Sequence, residues 1–191
     1  MNEILNPGYY DESDLDSVGF RKLGKNVKIA RDAVIIGFKN IEIGSNIRID
    51  SNVTLAVSNG FLTLGDYIHI GGGSHLSCSG GLKISSFANI SQGVRIYSAS
   101  DDYSGESMTN PTLPTHFTNV FRAEISIEEH VIIGSGSVIL PGVVLRKGTA
   151  IGALSLVKKS TEEFSIYAGS PAKRIGSRSM KVLEISKNLV K

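Results

Sequence analysis

The sequence predicts an all-β fold, a parallel β-helix of about six triangular coils with one long protruding loop and a short C-terminal helix. Three observations support this. Aliphatic residues recur at every sixth position through most of the chain, the recurrence stops once for almost thirty residues, and the last fifteen residues change to a helical spacing. A period of six is neither the ~3.6 of a helix nor the ~2 of a strand, so it indicates a coil built from three short segments.

The recurring aliphatic residues form six groups of three, and each group marks one coil. The residues at these positions are Leu23, Ile29, Ile35; Ile43, Ile49, Leu55; Leu64, Ile70, Leu76; Ile84, Ile90, Ile96; Ile127, Ile133, Ile139; and Leu145, Ile151, Val157. A single coil cannot bury its own interior, so the coils must stack with equivalent aliphatic residues about 4.8 Å apart. These side chains are therefore the predicted core.

A sandwich or barrel of short strands is the alternative fold. Its strands would alternate with a period of two, and their spacing would vary. The step of eighteen residues from Ile127 to Leu145, which continues without interruption to Thr161, favours the solenoid.

The coils divide the chain into three parts. Residues 1–22 are expected to form an N-terminal lead-in, residues 23–162 the β-helix, and residues 163–191 a C-terminal segment. We expect the coils at 23–42, 43–63, 64–83, 84–126, 127–144 and 145–162. From Ser177 onward, apolar residues at 180, 182, 183, 185, 189 and 190 have the spacing of a short amphipathic helix.

The composition excludes several functional classes. Of 191 residues 41% are hydrophobic and 20% charged, and the net charge of +2 comes without a basic block, so we expect no nucleic-acid partner. Cys78 is the only cysteine, which permits no internal disulfide and needs no role beyond packing. The N-terminus lacks the pattern of a signal peptide, and no apolar run approaches the ~20 residues that span a membrane. We expect a cytoplasmic protein without membrane insertion.

The interruption of the repeat is a polar loop at 97–124. It follows Ile96, at the third corner of the fourth coil, and shorter insertions lie at the same corner around 36–42, 57–63 and 78–83. Long loops on rigid scaffolds commonly carry binding or catalytic residues. The loop is therefore the predicted active-site loop, and a tolerated surface insertion is the alternative.

The repeat resembles that of the hexapeptide-repeat acyltransferases when it is taken with the segments IGSGSVILPGVVLRKGTAIGALSLVKKS and YAGSPAKRIG. Within that superfamily it is similar to sugar acetyltransferases of the maltose, galactoside and surface-polysaccharide type. The resemblance implies a left-handed parallel β-helix, an exception to the right-handed rule for crossovers. It also implies a homotrimer with acetyl-CoA bound between adjacent subunits. No metal is expected, since no His, Cys and Asp cluster has metal-ligand spacing.

The root of the loop departs from the family pattern. In the maltose and galactoside relatives a Thr-Ala-Thr-His-like run supplies a histidine general base, whereas the matching run here, Ser98 to Asp101, ends in aspartate and is followed by Asp102. A hydroxyl acceptor depends on a base that contributes about 10²–10⁴-fold, but a neutral amine attacks a thioester unaided. A carboxylate with a pKa of ~4 suits an amine better than a hydroxyl.

We therefore expect N-acetylation of an amino sugar, with Asp101 and Asp102 orienting the amine and accepting its proton. The resemblance implies that the acceptor is a nucleotide-linked deoxyamino sugar of surface-polysaccharide biosynthesis, such as O-antigen, capsule or S-layer glycan.

Two histidines keep sugar O-acetylation open as the alternative. His75 is expected at an outward position beside Arg95 of the next coil, where it could act as a relay or as a base. His116 lies within the loop. Arg95, Tyr103 and His116 are the candidate substrate-binding residues.

A non-catalytic, ion-binding solenoid resembling the carbonic anhydrases is a further alternative. It needs three metal-binding histidines across a subunit interface, and the spacing of the four histidines does not match. We expect His69 and His130 at the surface or in subunit contacts.

The resemblance also suggests where acetyl-CoA binds. In the family the pantetheine arm lies along the late coils, against small residues that allow close approach to the backbone. The matching residues are Gly134, Ser135, Ala153 and Ser155. The phosphates require cations, for which we expect Lys158, Lys159, Lys173 and Arg174, with Arg178 close behind; ordinary surface charge is the alternative.

Overall fold

The computed structural model describes residues 7–189. The chain forms three sheets around one core, and the strands within each sheet are parallel except for the last strand of the second. Each sheet is one face of a triangular solenoid. The first face contains Lys22–Leu23 (β1), Ile41–Ile43 (β4), Leu62–Leu64 (β7), Leu82–Ile84 (β10), Ile125–Ile127 (β15) and Val144–Leu145 (β18).

The second face is the longest and includes the C-terminal hairpin. It contains Val27–Ile29 (β2), Ile47–Ile49 (β5), Ile68–Ile70 (β8), Asn89–Ile90 (β11), Ile132–Ile133 (β16), Ala150–Ile151 (β19), Ser165–Gly169 (β21) and Ala172–Ser177 (β22). The third face contains Val34–Ile36 (β3), Thr54–Ala56 (β6), His75–Ser77 (β9), Arg95–Tyr97 (β12), Val138–Ile139 (β17) and Leu156–Val157 (β20).

The strand register confirms the predicted core. On the second face Ile49 pairs with Ile29 on one side and with Ile70 on the other, and the same column continues to Ile151. The inward aliphatic side chains of this column are almost completely buried. Each such Ile or Leu contributes about 1.5–3 kcal/mol of transfer free energy. The predicted parallel all-β solenoid is therefore confirmed, and β21 adds a seventh parallel strand on the second face.

The N-terminal end of the solenoid is covered by a helix that the repeat did not predict, Glu12–Val18 (α1). The carboxylate of Asp11 caps it by accepting a hydrogen bond from the amide of Asp14 (2.8 Å). Its Leu15 is buried against the first coil. A terminal repeat must shield the core on its outer side, and α1 does so here. Residues 1–6 of the predicted lead-in lie outside the described residues.

The loop begins and ends in a two-stranded antiparallel ribbon, Ala99–Ser100 (β13) with Phe121–Arg122 (β14). A single turn of 3-10 helix, Thr115–Phe117, lies near the middle of the loop. A second such turn, Phe38–Asn40, occupies one of the shorter insertions. The ribbon fixes the direction in which the loop leaves the solenoid.

A column of aromatic residues marks the edge between the first and second faces. Tyr67, Phe87 and His130 occupy equivalent turn positions with positive φ. The rings of Tyr67 and Phe87 stack at 5.2 Å, and those of Phe87 and His130 at 4.9 Å and 3°. Left-handed backbone is unfavourable for such residues, and stacking offsets part of that cost. The surface position expected for His130 is wrong, since only 7% of this residue is exposed.

The C-terminal segment is fastened to the same edge. Arg178 donates hydrogen bonds to the carbonyl oxygens of His130 (2.7 Å) and Gly148 (3.0 Å). The predicted C-terminal helix is confirmed as Val182–Leu189 (α2), and its Ser186 hydroxyl lies 3.3 Å from Nε2 of His130. Arg178 thus holds backbone carbonyls and is not free to meet a phosphate. Val190, which the helical pattern included, lies outside the described residues. No helix between residues 7 and 189 is long and apolar enough to cross a membrane.

The buried His130 predicts a pH-dependent stability. Burial lowers its pKa, and the charges of Lys147 and Arg178 add to this effect against the opposing Glu129. Below pH ~6.5 the histidine therefore binds a proton more readily in the unfolded chain than in the folded chain. The contribution of the neutral, buried His130 to the free energy of unfolding is complete above pH ~6.5 and is lost as the pH falls through the lowered pKa. We expect His130→Phe, which keeps the stacked ring, to reduce the fall in melting temperature between about pH 7.5 and about pH 5.5.

His75, whose pKa is also lowered, leaves some pH dependence in this variant. The control is His116→Phe in the exposed loop, for which we expect the wild-type pH dependence. Equal pH dependence in wild type and His130→Phe would show that His130 does not titrate on unfolding.

Candidate active site

A small groove lies at the edge between the second and third faces, on coils three to five. It has a volume of about 260 Å³ and is lined by His69, Asn89, Ser91, Gln92 and Ser135. We call it the corner groove. The side chains of Ser91, Gln92 and Ser135 have no hydrogen-bond partner among residues 7–189, and neither has Nδ2 of Asn89. Polar groups that converge on a concave surface without protein partners are typical of a ligand site.

On the coil that precedes the groove, Asp50 is the centre of a hydrogen-bond network. Its carboxylate accepts from Nε of Arg48 (2.6 Å), Nε2 of His69 (2.7 Å) and the hydroxyl of Tyr9 (3.3 Å). Burial acts to raise the pKa of Asp50, but the hydrogen bonds from His69 and Arg48 outweigh it and lower the pKa. Asp50 is therefore an anion that holds the imidazole of His69.

Sequence reasoning did not identify this network, although the signal was present. Arg48, His69 and Asn89 follow one another at steps of about twenty residues, and the strand register places them directly opposite one another on β5, β8 and β11. The predicted columns of inward residues fix the outward columns as well.

His75 and Arg95 lie in the middle of the third face, directly opposite each other on β9 and β12, which is the arrangement that the repeat predicts. The Arg95 guanidinium donates to the carbonyl oxygens of Gly73 and Gly93, so it fastens the turns that precede these strands. Burial lowers the pKa of His75, and the charge of Arg95 lowers it further. The imidazole is thus neutral at neutral pH.

The two aspartates at the loop root differ in their surroundings. Asp102 accepts hydrogen bonds from the amide of Ser104 (2.8 Å) and the hydroxyl of Ser107 (2.8 Å). These bonds, those from Ser104 above all, lower the pKa of Asp102. It therefore shapes the loop as an Asx turn. The carboxylate of Asp101 is exposed and meets no donor within the described part of the chain.

The other loop candidates lie away from the corner groove. Tyr103 is 93% exposed. His116 lies on the 3-10 turn with its ring 4.2 Å from that of Phe117, and it lines a separate hollow of about 540 Å³ within the loop. A single chain does not bring these residues into the corner groove.

The corner groove and the loop root lie at opposite edges of the third face. Ser91 precedes β12, whereas Asp101 follows it beyond the far edge. At ~3.3 Å per extended residue the two side chains are on the order of 15–20 Å apart. One small acceptor therefore cannot contact both side chains of the same chain.

The late coils provide only part of the predicted coenzyme surface. Ser135 and Ala153 are exposed. A Cβ atom at Gly134 would lie 2.4 Å from the amide nitrogen of Ala153, so coil stacking itself requires this glycine. The expected contact of Ser155 with the coenzyme is corrected, because Ser155 is only 2% exposed and its hydroxyl donates to the carbonyl oxygen of Gly152 (2.7 Å). Its side chain faces the interior of the solenoid, where it cannot contact the pantetheine arm.

The predicted cations divide into two groups. Lys158, Lys159 and Lys173 are exposed, and no carboxylate among residues 7–189 pairs with them. Arg174 is committed to the C-terminal hairpin, where it donates to the hydroxyl of Ser165 (3.1 Å) and pairs with Glu162 (3.3 Å). The lysines therefore remain the candidates for phosphate binding.

Cys78 has the packing role that was expected of it. It is completely buried, and burial raises the pKa of its thiol to about 12, so it is not a nucleophile.

Known proteins resemble this chain over nearly its whole length. It is 46% identical to dTDP-4-amino-4,6-dideoxy-D-glucose acyltransferase of Escherichia coli over 93% of this chain and 92% of that protein. It is 37% identical to AntD, an N-acyltransferase from Bacillus cereus, with a TM-score of 0.93 over 97% of this chain and 98% of AntD. A maltose O-acetyltransferase from Clostridium difficile shares the fold, with 19% identity and a TM-score of 0.62 over 93% of this chain and 80% of that enzyme. No family model matches.

Structures of AntD contain dTDP or a dTDP-linked amino sugar together with coenzyme A or an acyl-CoA. Variants at one serine and at an aspartate ten positions after it bind coenzyme A, together with dTDP or dTDP-4-amino-4,6-dideoxyglucose. AntD also binds 3-hydroxybutyryl-CoA together with dTDP.

Proposed function

Because this chain belongs to the hexapeptide-repeat family of CoA-dependent sugar acyltransferases, we propose that it acetylates the amino group of a nucleotide-linked deoxyamino sugar. The proposed acceptor is dTDP-4-amino-4,6-dideoxyglucose, and the proposed donor is acetyl-CoA. The product would serve surface-polysaccharide biosynthesis.

One observation carries this proposal. In the whole sequence only one aspartate has a serine ten positions before it, and this pair is Ser91 and Asp101. They match the spacing of the serine and aspartate that were substituted in AntD. Ser91 lines the corner groove, and Asp101 has the free carboxylate of the loop root. This spacing favours Asp101 over Asp102 as the reacting carboxylate.

The chemistry follows from these two side chains. The acceptor amine attacks the thioester carbon, the carbon–sulfur bond breaks, and coenzyme A leaves as the thiol. Ser91 would orient the amine through its hydroxyl, and Asp101 would take the proton that the nitrogen loses and pass it to the departing sulfur. A carboxylate suffices because the amine attacks through its own lone pair. Lys158, Lys159 and Lys173 would meet the phosphates of the coenzyme.

The separation of Ser91 from Asp101 supports a site shared between two copies of the chain, as in the homotrimer that we propose. The first face has ion pairs along its length, such as Arg21 with Glu42 and Lys83 with Glu124. The third face instead has apolar outward side chains at its early coils, where Val34 is 52% exposed. An apolar surface of this kind favours burial against a second copy, which would bring one corner groove to the loop root of another.

The same proposal places the enzyme in the cytoplasm. A free buried thiol at Cys78 fits a reducing compartment.

O-acetylation of a sugar remains the second candidate, supported by one observation. His75 is neutral at neutral pH, so it could accept a proton from a hydroxyl if an acceptor reached the middle of the third face.

An acceptor panel tests the proposed function. Purified protein is incubated with acetyl-CoA or 3-hydroxybutyryl-CoA and with matched dTDP-sugars that carry an amine or a hydroxyl at the 4-position, and products are identified by mass. We expect acetyl transfer to the amino sugar. Transfer only to the hydroxyl sugar would favour the O-acetylation candidate. Faster transfer from 3-hydroxybutyryl-CoA than from acetyl-CoA would show that acetyl-CoA is not the preferred donor.

The two aspartates provide a matched pair of variants. We expect Asp101→Asn to lower kcat by about 100-fold, within the range for loss of a proton acceptor. Asp102→Asn keeps an acceptor oxygen for the Ser104 amide and should change kcat by less than about threefold. Steady-state kinetics at saturating acetyl-CoA would measure both, and the reverse order of effects would assign the reaction to Asp102.

The shared site makes assembly testable. Ala56→Arg places a charge on the third face, and we expect this variant to elute as a monomer and to lose transfer activity. Thr63→Arg places the same charge on the first face and should leave both properties unchanged. Light scattering after size exclusion measures the mass, and a trimeric, active Ala56→Arg would exclude the third face as the interface.

A further inference from the structure

The imidazole of His69 lies between two oxygen atoms, one on the coil that precedes the corner groove and one at the wall of the groove. Nε2 lies 2.7 Å from Oδ2 of Asp50, and Nδ1 lies 3.0 Å from Oδ1 of Asn89. From this geometry, and resting on the proposed function, we propose that His69 is a positioning residue for the acceptor. It fixes the side-chain amide of Asn89 so that the NH2 group donates a hydrogen bond to an oxygen of the acceptor sugar.

The orientation of Asn89 follows from the contacts of its two polar atoms. Oδ1 lies 3.0 Å from Nδ1 of His69 and accepts a hydrogen bond from it when both ring nitrogens carry a proton, since the proton of Nε2 is donated to Asp50. Nδ2 has no acceptor among residues 7–189, while Asn89 itself lines the corner groove beside Ser91. The groove therefore contains two different groups, an amide that donates and a hydroxyl that can also accept. An amino sugar with an oxygen next to its amine matches this pair.

A second contact holds the imidazole at its other nitrogen. Asp50 fixes Nε2 of His69, and Asp50 is fixed in turn by Arg48 (2.6 Å) and by the hydroxyl of Tyr9 (3.3 Å). A carboxylate at one ring nitrogen sets the orientation of a histidine, and here it takes the proton of Nε2, so the donor to Asn89 is a second proton on Nδ1. The ion pair between Asp50 and His69 alone does not account for the contact between Nδ1 of His69 and Asn89.

Two substitutions of His69 separate its two contacts. The amide nitrogen of Asn superimposes approximately on Nδ1 of a histidine, and that of Gln on Nε2. His69→Asn therefore keeps a donor to Asn89 and gives up the contact with Asp50, whereas His69→Gln keeps the contact with Asp50 and gives up the donor to Asn89. Asn89→Asp removes the proposed NH2 donor with almost no change of shape.

The readout is the KM for the amino-sugar acceptor, measured beside the KM for acetyl-CoA, kcat and the melting temperature. We expect Asn89→Asp and His69→Gln to raise the acceptor KM by about three- to tenfold, the loss of one hydrogen bond, with little change in the KM for acetyl-CoA. We expect His69→Asn to stay within about twofold of wild type.

Other outcomes overturn the inference. Equal acceptor KM values for His69→Asn and His69→Gln would show that the Asn89 contact has no role. A change in melting temperature alone would assign the network to folding. An effect confined to the KM for acetyl-CoA would place the groove on the donor side.

The proposed function is tested separately by the wild-type protein in the same assay. If the wild type transferred no acyl group to the amino sugar, the function would be wrong. The hydrogen bond itself would still be measurable, because the Nδ1 proton of His69 and the Asn89 amide resonances can be observed by 15N NMR without a substrate.

Discussion

The stacking of coils at one fixed distance is the constraint on which the rest of the structure depends. Neighbouring strands must lie about 4.8 Å apart, so each residue of a coil is set directly against its equivalents above and below. Inward, this puts Ile29, Ile49 and Ile70 in one column. Outward, it puts Arg48, His69 and Asn89 in another. The packing rule that builds the core therefore also assembles the polar wall of the corner groove.

The sequence was sufficient for the fold because that rule is periodic. Every predicted inward column is found in register, and the interruption after Ile96 is found as the protruding loop. Helix α1 was missed because a cap over the open end does not share the period of the repeat. His130 was misplaced because its turn position looks outward from the sequence, whereas stacking on Phe87 and the hydrogen bond from Arg178 bury it.

The candidate site could be predicted only in part, because its details depend on contacts that the repeat does not encode. Adjacent aspartates look equivalent in sequence, and two serines downstream distinguish them by binding Asp102 alone. Gly134 looked like a place for a ligand to approach, whereas the next coil already occupies the space that a Cβ would need. Arg174 looked free and is held by Ser165 and Glu162. Local hydrogen bonds thus decided which of several plausible side chains remain available.

The last strand of the second face has a consequence for self-association. A solenoid of identical flat coils is open to growth, since a parallel strand of another molecule could add to its final edge and start a fibre. Here β22 runs antiparallel to β21, with a register shift between Ile166 and Tyr167. The reversed and irregular edge of β22 does not match the parallel register of an incoming coil. The hairpin thus opposes end-to-end polymerisation through the second face, while the outward surfaces of the three faces stay free to associate.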